Sequence, residues 1–171
     1  MVFLTEPTLQ YKNSFIEGVR EFQREGKYRN FNIQQLSNNF EEFLHSKITS
    51  NNPTRLSPYL VPATDFWLID DDEYIGRLSL RHELNALLCR VGGHIGYEIR
   101  PSKRRQGYGK LILGLGLTKA REIGLTRALV TCDENNIGSK KVIEYNGGKF
   151  ENAVEVEGSP VKKLRYWIDL A

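Results

Sequence analysis

The chain has 171 residues, 40% of them hydrophobic and 26% charged, which is ordinary globular usage and enough length for one substantial core. A formal net charge of +3 is too small to mark a nucleic-acid binder, and Cys89 and Cys132, far apart and without a C-x-x-C, exclude a disulfide scaffold or a cysteine zinc site. No basic-then-apolar leader opens the N-terminus and no apolar run approaches ~20 residues, so the expectation is one domain, 1–171, in a reducing cytoplasmic setting, with no metal, membrane or nucleic-acid partner.

Val2 to Leu9 suits a short first strand. From Tyr11 to Glu25 the apolar positions Tyr11, Phe15, Ile16, Val19 and Phe22 recur at helical spacing, and Gly26 ends the run. Ile33 to Ile48 repeats the pattern through Leu36, Phe40, Phe43 and Leu44, until Asn51-Asn52-Pro53 stops it. Pro53 to Pro62 carries three prolines and reads as an extended loop able to border a substrate site. Phe66 to Ile69 and Tyr74 to Leu80 flank the acidic run Asp70–Glu73 and predict a hairpin. The acidic run reads as a solvated turn, because it lacks the glycine and terminal glutamate of a calcium loop.

Arg81 to Arg90 suggests about two helical turns through Leu84, Leu87 and Leu88, ended by Gly92-Gly93. His94 to Arg100 alternates as a strand and stops at Pro101. Leu111 to Ile123 is helical, and within it Gly114 and Gly116 each cost ~1 kcal/mol relative to alanine, a cost that close packing on a sheet would explain. Gly124 suits its C-cap. Arg127 to Cys132 is a strand, Asn136 is a natural N-cap for a helix over Ile137 to Tyr145, and two alternating runs, Phe150 to Val156 and Leu164 to Leu170, predict a closing antiparallel hairpin. The order β-α-α-β-β-β-α-β-α-β-β predicts a mixed α+β layered fold, with some parallel pairing where crossover helices separate strands.

The most informative stretch joins the strand at His94–Arg100 to the helix at Leu111 through Lys103-Arg104-Arg105-Gln106-Gly107-Tyr108-Gly109-Lys110. Strand, basic glycine-rich turn and helix together build an anion site: the first helical N–H groups have no intrahelical partner, the helix dipole adds positive charge there, and glycines admit a phosphate to the backbone. Two familiar phosphate loops fail on spacing. Gly109-Lys110 is followed by Leu111 and has no glycine five residues upstream, and the third glycine of G-x-G-x-x-G would fall on Ile112.

The residues do match the Q/R-x-x-G-x-G/A loop of the GNAT N-acetyltransferases, through Arg104, Gly107 and Gly109. Asn136-Ile137-Gly138-Ser139, followed by Gly147-Gly148, resembles the next motif of that family, and HIGYEIRPSKRRQGYG is similar to a subgroup of bacterial acetyltransferases. The resemblance covers Ile75 to Phe150 well and the rest loosely. It implies a central mixed sheet of about seven strands flanked by about four helices, whose fourth and fifth strands splay to admit acetyl-CoA; here these are His94–Arg100 and Arg127–Cys132. It also implies that backbone groups near Glu98, Ile99 and Arg100 meet the pantetheine arm, that Arg104, Arg105, Gln106, Gly107, Tyr108, Gly109 and Lys110 hold the pyrophosphate, and that Asn136 and Ser139 contact the cofactor. Asn136 can equally be only a helix cap.

The reaction so implied is direct transfer of acetyl to a primary amine, on a small molecule or a peptide. It needs an oriented thioester, a deprotonated amine and a donor to the developing oxyanion. For the base, His94, Gly96 and Glu98 share one strand face; Glu98 is the first choice, against a purely structural ion pair with Arg100 or with the next strand. His94 is the second choice, against a structural histidine. His82 is the third, and His45 reads as surface. Many family members place a tyrosine seven residues after the asparagine as the acid for the leaving thiolate. Here that position is Ile143, and Tyr145 lies about 200° further round the helix. The competing reading is a non-catalytic acyl-CoA-binding or regulatory module on the same fold. The sequence leaves homodimerisation and the identity of the acceptor open.

Overall fold

A computed structural model describes residues 1–49 and 60–171, so positions 53–59 of the proline-rich stretch from Pro53 to Pro62, with its Asn51-Asn52-Pro53 stop, lie outside the described residues. The chain begins with β1 (Val2–Thr5), a 3-10 turn at Leu9–Tyr11, and α1 (Lys12–Arg24). Helix α1 buries the expected face, Phe15, Ile16, Val19 and Phe22. The next expected helix is two: α2 (Ile33–Asn38) and α3 (Phe40–Thr49). The break falls at Asn39 (φ −114°, ψ 32°), where two consecutive asparagines are weak helix formers.

The hairpin is present as β2 (Ala63–Asp70) and β3 (Glu73–Arg81). Asp71 and Asp72 form its tip with φ of 47° and 63°, the left-handed pair of a type I′ turn. The helical turns expected before the fourth strand take the form of a π turn at Leu88–Gly92. Then follow β4 (Ile95–Ile99), α4 (Tyr108–Glu122), β5 (Arg127–Asp133), α5 (Ile137–Tyr145), β6 (Lys149–Val154) and β7 (Lys163–Asp169).

The seven strands form two sheets rather than one mixed sheet: β1-β2-β3-β4 and β5-β7-β6. Every ladder among the described residues is antiparallel, so the parallel pairing expected across the crossover helices is absent. Alternation along β2 feeds two cores. Leu68 joins Leu78, Leu80 and Ile95 beneath α4, with Ile112, Leu113 and Leu117. Trp67 and Ile69 face the other way and pack with Phe15, Val19 and Phe40 of the N-terminal helices. The two helix glycines differ in purpose. A Cβ on Gly116 would stand 2.4 Å from Leu78 Cδ1, the close approach that the sequence suggests, whereas one on Gly114 would face Asn146 Oδ1 at 3.2 Å, away from the sheet.

Candidate functional site

The site is built on the unpaired edge of β4. Towards β3, Arg81 N–H donates to His94 O at 2.7 Å and Arg100 N–H donates to Ile75 O at 2.9 Å. Antiparallel alternation therefore directs the His94 carbonyl and the backbone of residues 96, 98 and 100 at β3, and that of Ile95, Tyr97 and Ile99 at the opposite edge. On that edge β4 meets β5 at one point. His94 N–H donates to Leu129 O at 2.7 Å, and Leu129 N–H donates to His94 Nδ1 at 2.9 Å. No other backbone hydrogen bond joins the two strands among the described residues.

The gap so left belongs to a cleft of about 630 Å³, walled by Tyr97, Glu98 and Ile99, by the start of α4 at Gly107, Gly109 and Lys110, and by the start of α5 at Asn136, Gly138 and Ser139. Gly107 is the N-cap of α4, at φ 89°, and no side chain caps the helix. The first amides of α4 are thus open to a ligand, and the helix dipole makes that ligand an anion. Only glycine holds this φ without strain, and a Cβ there would meet nothing within 4 Å, so the requirement is conformational and not steric. Arg104, Arg105, Lys110, Lys27 and Lys141 rim the cleft. Arg104 is itself fixed, bidentate to Glu25 at 2.7 and 3.1 Å, over the Phe22 ring, with Nε donating to Ile99 O at 3.2 Å. Two loop residues turn away from the cleft: Gln106 donates to Ser102 O at 3.1 Å and Tyr108 Oη to Asp70 Oδ2 at 2.7 Å, so their side chains shape the loop. Asn136 Oδ1 accepts from Ser139 N–H at 3.1 Å, the capping geometry, while both residues also line the cleft.

Glu98 lines this cleft and also a second, aromatic cavity of about 130 Å³ beneath the N-terminal helices, walled by Phe15, Phe31, Phe43, Trp67 and Tyr74. Its carboxylate accepts from the Tyr28 hydroxyl and from Arg77 Nε at 2.7 Å, the residue directly across on β3. Tyr28 reaches it from a left-handed backbone, φ 51°. Burial raises the carboxyl above its ordinary value, and Lys27 and Arg104 pull it part of the way back. The other carboxylate of the aromatic cavity, Asp65, lies 3.7 Å from Lys47 Nζ.

The remaining candidates are not brought to the cleft. His94 is buried, its Nδ1 is occupied as an acceptor, and burial together with Arg127 and Arg81 lowers its pKa. It works as the clasp between β4 and β5. Arg100, expected at the cofactor, has its N–H in the β3 ladder and its guanidinium turned under α1, on Glu21 at 2.5 Å and Tyr74 O at 3.0 Å; the cause is that its side chain, two residues from Glu98, sits on the sheet face that α1 covers. His82 Nε2 lies 2.7 Å from Thr64 Oγ1 and lines neither cavity. Ile143 is wholly buried in the core, and Tyr145 is 68% exposed, with Lys110 Nζ 4.3 Å from its ring centre. Sequence reasoning missed Lys27, Lys141, Tyr28 and Arg77. Lys141 carries a faint signal, two residues beyond Ser139 at a helix start; the others reach the site only through tertiary packing.

Comparison with known proteins places these features in a family. The acetyltransferase (GNAT) domain matches residues 16–149. No curated protein matches the sequence. Among solved structures, Mycobacterium smegmatis RimJ in complex with CoA-disulfide is 17% identical with a TM-score of 0.73, over 98% of this chain and 81% of that one. The acetyl transferase of Salmonella typhimurium that modifies the N-terminal serine of a 50S ribosomal subunit protein is 16% identical with a TM-score of 0.67, over 98% and 94% of the two chains. Mutant forms of the spermidine/spermine N-acetyltransferase SpeG of Vibrio cholerae are 14% identical with a TM-score of 0.65, over 99% and 95%. The structural likeness carries the fold and the domain match carries the family: this chain belongs to the GNAT acetyltransferases.

Proposed function

We infer that the protein transfers the acetyl group of acetyl-CoA to a primary amine in a ternary complex, with the cofactor in the basic cleft and the acceptor in the aromatic cavity. The observation that carries this is Glu98, the one carboxylate shared by both cavities. The pyrophosphate fits the uncapped start of α4 and the cations around it. The pantetheine arm then lies along the edge of β4, where the Tyr97 backbone and the Ile99 N–H can pair with its amides, the Ile99 carbonyl already accepting from Arg104 Nε. Glu98 takes the proton of the acceptor ammonium, directly or through a water, and burial supports this by making the carboxylate more basic.

The aromatic cavity favours an amine on an apolar body over a polyamine, because Arg77 already engages Glu98 and Lys47 lies beside Asp65. Two free cysteines suit the reducing, cytoplasmic setting that completes the proposal. The test is twofold. Acetyl-CoA at ~100 times its dissociation constant should stabilise the protein by about 2.7 kcal/mol, and free CoA thiol should appear with aromatic or aliphatic amines faster than with spermidine. Stabilisation without thiol release across the amine panel would leave the non-catalytic acyl-CoA module.

A further inference from the structure

Tyr97 carries the one buried side-chain polar atom without a hydrogen-bond partner among the described residues, its Oη. An unpaired buried hydroxyl lowers stability, so its retention asks for a partner that arrives from outside the chain. Its position identifies that partner. Neighbours on a strand alternate, so Tyr97 projects from the face of β4 opposite to Glu98 and packs against the core beneath α4. Its ring lines the basic cleft, and the Ser139 side chain lies near enough to its hydroxyl to draw the phenol part of the way down, yet the two do not complete a hydrogen bond of normal geometry. The anion-binding end of the cleft is at Gly107–Lys110, and β4 and β5 close on each other at His94 and Leu129. Tyr97 stands between these ends, adjacent in sequence to the proposed base. The side chain at Ile143 offers no hydroxyl.

Resting on the reading of this cleft as the acetyl-CoA site, we propose that Tyr97 Oη donates a hydrogen bond to the sulfur of CoA as the carbon–sulfur bond breaks. The amine lone pair forms the carbon–nitrogen bond and the carbon–sulfur electron pair leaves on sulfur as thiolate. The amine protons go to Glu98 and solvent, and Tyr97 keeps its own proton. It keeps it because burial pushes the phenol up to about 12, whereas a thiol titrates near ~8.5, so full transfer to sulfur is uphill. A hydrogen bond from a neutral donor to an anion is charge-assisted, and a donor held in place beforehand needs no reorganisation when the charge appears.

The experiment needs no acceptor. The CoA thiol is titrated by thiolate absorbance in the binary complexes of wild type and Tyr97→Phe, with the desulfo-CoA complex subtracted to remove Cys89 and Cys132. The thiol should titrate about one unit lower on wild type than on the variant, a tenfold preference for the thiolate. Apo Tyr97→Phe should melt no lower than wild type, since the oxygen removed has no partner to lose. Equal thiol titrations overturn the proposal, including the case where CoA affinity falls because Oη serves a pantetheine amide instead. A variant clearly less stable than wild type overturns it as well, since the hydroxyl would then already have a partner in the chain. If wild type does not bind CoA, the cofactor reading fails and this assignment fails with it.

Discussion

Replacing Glu21 by glutamine tests the buried cluster that fixes the entrance to the phosphate loop. Burial alone would push the Glu21 carboxyl up, yet hydrogen bonds from Arg100 and from the amide and hydroxyl of Ser102 outweigh it and hold it at about 2, against an ordinary 4.5. Arg100 is 5% exposed and Glu21 13%, and the same carboxylate accepts Ser102 N–H at 3.0 Å and Ser102 Oγ at 2.9 Å. A lowered folded-state pKa contributes stability that is complete above the unfolded value and is lost as pH falls through the folded one. The unscreened shift corresponds to roughly 3 kcal/mol, and solvent screening at the rim of the cluster reduces that to about 2 kcal/mol. Urea unfolding followed by Trp fluorescence should therefore place Glu21→Gln about 2 kcal/mol below wild type at pH 7. At pH 3.5 the unfolded glutamate binds a proton that the folded one still resists, and the gap should narrow to roughly 1 kcal/mol. Other titrating groups cancel in the comparison. A gap that is the same at both pH values, or negligible at pH 7, refutes the reasoning. Because Ser102 leads into the loop, the variant should also bind acetyl-CoA more weakly.

Glu98→Gln should lower turnover by ~10²-fold or more and erase the acid limb of the rate profile; in wild type that limb should lie above the ordinary carboxylate range, because burial raises this group and its basic form is lost as pH falls. An unchanged pH profile would remove Glu98 as the base. Gly107→Val should fold, since a Cβ meets nothing nearby and the strain is confined to one turn, but a branched residue resists φ 89° and should distort the start of α4, raising the dissociation constant of acetyl-CoA at least tenfold, an energy of ~1.4 kcal/mol or more; wild-type affinity by calorimetry would show that the phosphate binds elsewhere. Gly116→Ala should destabilise by about 1–3 kcal/mol in spite of its better helix propensity, through collision with Leu78, while Gly114→Ala should be tolerated; equal melting of the two would mean that α4 is free to shift on the sheet. Tyr145→Phe should lower turnover less than tenfold, under ~1.4 kcal/mol of barrier, because the ring is on the surface; a nearly inactive variant would contradict that placement.

What the sequence makes legible here is local order. The left-handed glycine that opens α4 and the apolar period of that helix lie within about four helical turns of each other, so the anion site can be read without the fold. Glu98 can be placed on a face by strand alternation alone. Its environment cannot, since Tyr28 and Arg77 reach it across 70 and 21 residues. The same limit hides Lys27. The expected parallel pairing fails for a related reason: connection rules say which strands become neighbours, but not whether neighbours form a ladder, and β4 and β5 meet only at the His94 clasp. Arg100 misleads for the converse reason, since its backbone neighbourhood suggests the cofactor while its side chain belongs to α1.

Each sheet is drawn from a contiguous stretch of chain, residues 2–99 for the first and 127–169 for the second. Synthesis runs in that order. The first sheet can close with its three N-terminal helices once about a hundred residues have left the ribosome, and the remaining seventy or so need roughly 4 to 14 seconds at translation rates of about 5–20 residues per second. Helix α4 ends at Glu122, so for the first twenty or so of those residues, roughly 1 to 5 seconds at the same rates, Leu68, Leu78, Leu80 and Ile95 lack its cover. The nascent chain therefore passes through a stage with one finished apolar core and one naked apolar face, and with the free edge of β4 beside that face. An open edge next to exposed apolar surface is what aggregation and chaperones both recognise. Codon changes that delay the emergence of residues 100–122 should therefore lower soluble yield, while changes that delay only the chain beyond residue 145 should matter less.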